Sequence, residues 1–90
     1  MEDFGAIIRR NRKLNGWTIK EFIKNLNFKI SIPYVTKIEK YGEIPNPELI
    51  VDMAKALELN SAEMLNIARR SKVDQYKKQL DTKYDREGKQ

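Results

Sequence analysis

Apolar residues recur three and four apart along most of the chain, which predicts a succession of short helices. Phe4, Ile7, Ile8 and Leu14 form a stripe on a first helix from about Glu2 to Leu14, with Asn11 interrupting it. A polar group on that stripe must find a hydrogen-bond partner. Glu2 and Asp3 stand at the start and Arg9, Arg10, Arg12 and Lys13 toward the end, the order a helix dipole favours. Asn15-Gly16 stops the helix. Thr18 and Glu21 form a capping box that opens a second helix. Phe22, Ile23 and Leu26 point inward from it, Lys20 and Lys24 outward, and Trp17 anchors the entry on a neighbour. This helix is expected to end near Asn27, with residues 27–30 as the following turn.

Ser31 is a helix cap with Pro33 in the first turn, where no helical amide partner is lost. Val35 and Ile38 face one way on this third helix, and Ile32, Thr36, Lys37 and Lys40 the other. It ends near Tyr41-Gly42. A short helix with one apolar face and one basic, hydroxyl-bearing face suits a DNA groove. It suits an ordinary surface helix equally, and on these residues alone the solvated helix is the commoner case. Gly42, Pro45 and Pro47 mark a rigid loop. Asn46 caps a fourth helix that begins at Pro47 and carries Leu49, Ile50, Met53, Ala54 and Leu57. Asn60 and Glu63 open a fifth, with Met64, Leu65 and Ile67 or Ala68 inside; the methionines read as core filler. Val73, Tyr76, Leu80 and Tyr84 then follow at spacings of three, four and four. That thin stripe is enough for a sixth helix that folds back on the core, pairs with a second subunit or orders on binding. Asp85 to Gln90 reads as a disordered tail. The division expected is a domain over residues 1–70 and a basic extension over residues 71–90.

Ninety residues suffice for one domain with a modest core. No apolar run approaches the roughly 20 residues needed to cross a bilayer, and the acidic start is unlike a signal peptide. A cytoplasmic protein is expected, with no membrane partner. Cys and His are both absent, so there is no disulfide or thiol chemistry, and a zinc site would need carboxylates alone. No metal and no cofactor is expected. The net charge of +5 is unevenly spread. Residues 1–41 carry nine basic and four acidic side chains, residues 42–66 one and five, and residues 67–90 eight and four. A basic first half beside an acidic segment fits a polyanion-binding face with a separate back face.

Several motifs then fall in a familiar order. They are Phe4-Gly5 with Ile8-Arg9, Arg12, Gly16-Trp17-Thr18 with Glu21-Phe22, the run Ser31 to Lys40, and Pro47-Glu48-Leu49-Ile50 with Met53-Ala54-Lys55-Ala56-Leu57. In that order and spacing the chain resembles the Cro/C1-type helix-turn-helix family, also called the XRE family, from Phe4 to Ala68. The resemblance implies an all-α, five-helix, lambda-repressor-like DNA-binding domain. It also implies a structural ion pair between Arg12 and Glu39 that orients the third helix. Ser31, Ile32, Pro33, Thr36 and Lys37 would then face bases in the major groove. Among these, Lys37 suits guanine O6 and N7, while Ile32 and Pro33 suit only a thymine methyl or a sugar edge. Thr18, Lys20, Lys40, Tyr41 and Gly42 would hold phosphates. Arg9 would do the same or simply be a solvated helix end. The chain departs from the family pattern at four places. Asn27 replaces the turn glycine, with Phe28-Lys29 as an insertion of two. Ile23 stands in place of a small residue, Asn11 in place of a leucine, and the glycine after helix 3 arrives one residue late, after Tyr41.

Two functions are expected to compete. One is a sequence-specific regulator of transcription, a repressor acting as a homodimer on double-stranded DNA. The other is an antitoxin or adaptor that holds a partner protein through residues 71–90. An enzyme fits poorly, since no nucleophile–base pair and no Gly-rich phosphate loop is present.

Overall fold

Five polar side chains divide the chain into its helices. Each accepts a hydrogen bond from an amide one turn in, where a helix start leaves its N–H groups without carbonyl partners. Asp3 takes the amide of Ala6 at 2.9 Å, Ser31 that of Tyr34 at 3.2 Å, Asn46 that of Leu49 at 2.9 Å and Asn60 that of Glu63 at 2.9 Å. Thr18 accepts from Glu21 at 3.1 Å while the Glu21 carboxylate accepts from the Thr18 amide at 3.3 Å, a complete capping box. The computed structural model describes residues 2–88, with side chains as far as Leu80. Its helices are α1 (Phe4–Leu14), α2 (Ile19–Lys24), α3 (Ile32–Tyr41), α4 (Pro47–Ala56) and α5 (Ser61–Gly88), with no strand among the described residues. The fold is all-α.

The core is one cluster to which every helix contributes. Phe4 and Ile8 of α1, Phe22 of α2, Val35 and Ile38 of α3, Met53 and Ala54 of α4, and Met64 and Ala68 of α5 are all buried. Trp17, the residue before the α2 cap, stacks on Phe22 four positions into the helix, with ring centroids 6.4 Å apart. That contact is a hydrophobic staple fixing the entry of the chain into α2. α1 and α3 approach so closely that a Cβ on Gly5 would stand 2.0 Å from the Ile38 carbonyl oxygen. Only a residue without a side chain fits there.

Arg12 lies on the same buried face of α1. Its Nε and Nη2 donate to the two carboxylate oxygens of Glu39 at 2.8 and 3.0 Å, and its Nη1 donates to the Trp17 carbonyl at 2.7 Å. One guanidinium therefore ties α1 to α3 and to the segment leading into α2. Asn11, the polar interruption of the stripe, donates to the Ile7 carbonyl at 2.9 Å within its own helix. Leu14, expected on the apolar stripe, is 75% exposed. It lies about 120° around the helix from Ile8 at 100° per residue, and the inward position of the last turn belongs to Arg12.

Three further expectations are corrected. α2 stops at Lys24 rather than near Asn27. Asn25 folds its side chain back onto the Glu21 carbonyl at 2.9 Å, and the amides of Asn27 and Phe28 leave the helix for a side chain of α4. The Val73–Tyr84 stripe is not a separate sixth helix, because α5 runs without a break from Ser61 to Gly88. The tail expected from Asp85 is helical to Gly88; Lys89, Gln90 and the side chain of Tyr84 lie outside the described residues. α5 is bound to the body beyond residue 70. Ser71 is buried and its hydroxyl accepts from the Phe4 amide at 3.2 Å, and Gln75 donates to the Gly42 carbonyl at 2.7 Å.

Two variants test this scaffold. Gly5→Ala forces α1 and α3 apart against backbone, not against a flexible side-chain end, and is expected to cost about 1–3 kcal/mol. The check is thermal unfolding, where a drop of at least about 4 °C is expected for a domain of this size; an unchanged melting temperature refutes the close approach. Arg12→Ala leaves Glu39, whose side chain is 3% exposed, without its partner. Breaking a shielded pair in this way is expected to cost about 3–5 kcal/mol, read as a lower urea midpoint at an unchanged slope.

Candidate nucleic-acid interface

The surface of α3 is built from its cap outward. Ser31 starts the helix, Ile32 and Pro33 fill its first turn, and Gly42 ends it in the left-handed conformation at φ 75°. The Gly42 and Glu43 amides both close on the Lys37 carbonyl. Val35 and Ile38 are buried, which fixes the rotation of the helix. At 100° per residue, Ile32, Pro33, Thr36, Lys37 and Lys40 then share an outward arc of about 140°. Ile32, Pro33, Lys37 and Lys40 are exposed and Thr36 is half-buried. Tyr41 stands at the end of this face, 78% exposed.

The hydroxyls at and beside that arc have defined hydrogen-bonding states. The Ser31 oxygen accepts the Tyr34 amide, which leaves its own hydrogen to give. The Thr36 hydroxyl donates to the Ile32 carbonyl at 3.1 Å, so it faces outward as an acceptor and a methyl group. The Tyr34 phenol is pushed above its ordinary pKa by burial first and by the Glu43 carboxylate second, so it stays protonated at neutral pH. Ile32 is 48% exposed and, with the exposed Pro33, makes an apolar patch on a surface otherwise basic and hydroxylated.

The remaining predicted residues lie off this arc. Thr18 and Lys20 are exposed at the start of α2, and Arg9 is exposed on α1. Gly42 has its amide on Lys37 and its carbonyl on Gln75, so its backbone groups are already engaged. Arg12 and Glu39 pair with side chains 11% and 3% exposed, so neither is offered at the surface.

The turn into α3 depends on a residue that no motif marks. Asp52 of α4 is only 6% exposed, and its carboxylate accepts from the Asn27 amide at 3.1 and 2.9 Å and from the Phe28 amide at 2.9 Å. The signal for it in the sequence was faint: at 100° per residue Asp52 stands about 60° to one side of Leu49, at the margin of the apolar face of Leu49, Ile50, Met53 and Ala54. Ser71 carried a similar signal, falling three residues after Ala68 and seven after Met64, on their face of α5.

Comparison with known protein families matches a helix-turn-helix family model to residues 8–69, more than two thirds of the chain. Neither the curated proteins nor the solved structures include a match. With five helices, a capped third helix turned outward and the family model covering most of the chain, the protein belongs to the Cro/C1-type (XRE) helix-turn-helix family of DNA-binding transcription regulators.

Proposed function

We propose that the protein represses transcription by binding a palindromic operator as a homodimer, with α3 lying in the major groove of double-stranded DNA. The observation that carries this reading is the outward arc of α3, which gathers Lys37, Lys40, Thr36 and the apolar first turn on one exposed face. In this reading Lys37 donates to the O6 and N7 acceptors of guanine, Ser31 and Thr36 meet base edges through their hydroxyls, and Ile32 and Pro33 pack on thymine methyls. Lys40, Tyr41, Thr18, Lys20 and Arg9 hold phosphates and set register. Because the Gly42 amide is already engaged, the hold at the end of α3 falls to Lys40 and the Tyr41 hydroxyl. Two-fold pairing places two such helices on half-sites a helical turn apart, about 34 Å. Such a protein works where the genome is, in the cytoplasm, and needs no catalytic group. No helix of the described residues is long and apolar enough to cross a membrane.

A second reading has its own observation. Val73 and Tyr76 are 47% and 62% exposed on α5, flanked by Lys72 and Lys77. An antitoxin or adaptor that holds a partner protein through residues 71–90 would use such a face. A stoichiometric partner on purification separates this reading from the first.

The test of the DNA reading is binding to the duplex just upstream of the protein's own gene and to a scrambled duplex, across a salt series. Lys37→Ala is expected to lose about 1–3 kcal/mol on the upstream duplex only. Lys40→Ala is expected to weaken both duplexes alike and to lower the salt slope by about one. Equal binding of both duplexes by the native protein, with no effect of Lys37→Ala, would refute base reading by α3.

A further inference from the structure

We propose that Asp52 is a positioning residue for base recognition: by holding the turn before α3 it sets the pose of that helix in the groove. The proposal rests on the DNA-binding reading of α3. The connection from Lys24 to Ile32 spans residues 25–31 and contains no glycine. A helix-turn-helix ordinarily makes this turn in about three or four residues, often with a glycine. A longer turn without one has more conformations to choose among, so something must select one. The carboxylate of Asp52 does so with three hydrogen bonds to the amides of Asn27 and Phe28. Burying a carboxylate is unfavourable unless its lone pairs are satisfied, and here backbone donors satisfy them.

The two ends of α3 are held differently. The Arg12–Glu39 pair and the Gln75–Gly42 hydrogen bond secure its C-terminal half. Its N-terminal turn, where Ser31, Ile32 and Pro33 lie, continues directly from the segment that Asp52 holds. Asp52 touches no base; α4 acts on recognition through the turn.

The experiment compares the full chain with Asp52→Asn, which keeps the size but leaves one neutral oxygen for the two amides and sets an NH2 group against the Asn27 N–H. Residual dipolar couplings report the orientation of α3 against the frame of α1, α4 and α5. Binding to the upstream and scrambled duplexes reports discrimination. Asp52→Asn is expected to rotate α3 and to cut the preference for the upstream duplex at least about tenfold. Binding to the scrambled duplex should stay within about twofold, since no cation is removed and Arg9 and Lys20 stand on other helices. Should Asp52→Asn not fold, Asp52→Glu, which keeps the carboxylate but displaces it by one methylene, is read in the same way. An unmoved α3 overturns the proposal, as does a rotated α3 with full discrimination. A native protein that prefers neither duplex defeats the DNA reading instead, and the couplings still decide whether Asp52 orients α3.

Discussion

The arrangement of the first three helices depends on the Arg12 guanidinium. It sits on the buried face of α1 and joins two other segments, Glu39 on α3 and the Trp17 carbonyl ahead of α2. A cation withdrawn from water is tolerated only where its donors are met, and three of the five N–H groups are met here by protein oxygens. Lysine could not replace it, because a fork of parallel donors is what matches both oxygens of Glu39 at once. The pair specifies geometry more than it adds stability: together with the burial of Val35 and Ile38 it fixes which face of α3 turns inward and which turns outward. The contact at Gly5 completes the constraint by letting α3 come within backbone distance of α1.

The same economy governs the other buried polar residues. Asp52 and Ser71 meet backbone amides from distant segments, Asn27 and Phe28 in one case and Phe4 in the other. Among the described residues no buried side-chain nitrogen or oxygen lacks a partner. Interior polarity in this small domain is thus devoted to holding helix ends and turns, where backbone groups would otherwise go unsatisfied. The outward arc of α3 is free of such duties except at Ser31 and Thr36, whose hydroxyls serve their own helix and still face solvent. That separation between a satisfied interior and an available surface is what a groove-binding helix requires.

α5 joins the two functional readings physically. Its inner face, Met64, Ala68, Ser71 and Gln75, reaches from the core to the Gly42 carbonyl at the end of α3. Val73 and Tyr76 point away from that face. A helix that braces the end of α3 on one side and exposes aromatic and aliphatic groups on the other connects whatever occupies the outer face with the residues proposed to hold phosphate.

What the sequence determined by itself was set by interactions within about four residues. The caps at Thr18, Ser31, Asn46 and Asn60 and the division of α3 into Val35 and Ile38 against Lys37 and Lys40 are all of that range, so they were legible in the spacing; Trp17 was legible as an anchor, but its partner Phe22 was not. The Arg12–Glu39 pairing came from family likeness, since its partners are 27 residues apart. Asp52 with Asn27, 25 apart, and Ser71 with Phe4, 67 apart, had only the faint mark of a polar residue beside or on an apolar face. Only the tertiary structure decided that α2 stops at Lys24, that Leu14 is exposed and that the C-terminal stripe continues α5. The physical reason is common to all of these. A helix end or an inward position is settled by which backbone donors and which faces the neighbouring helices leave to be satisfied, and that choice does not exist until the helices have packed.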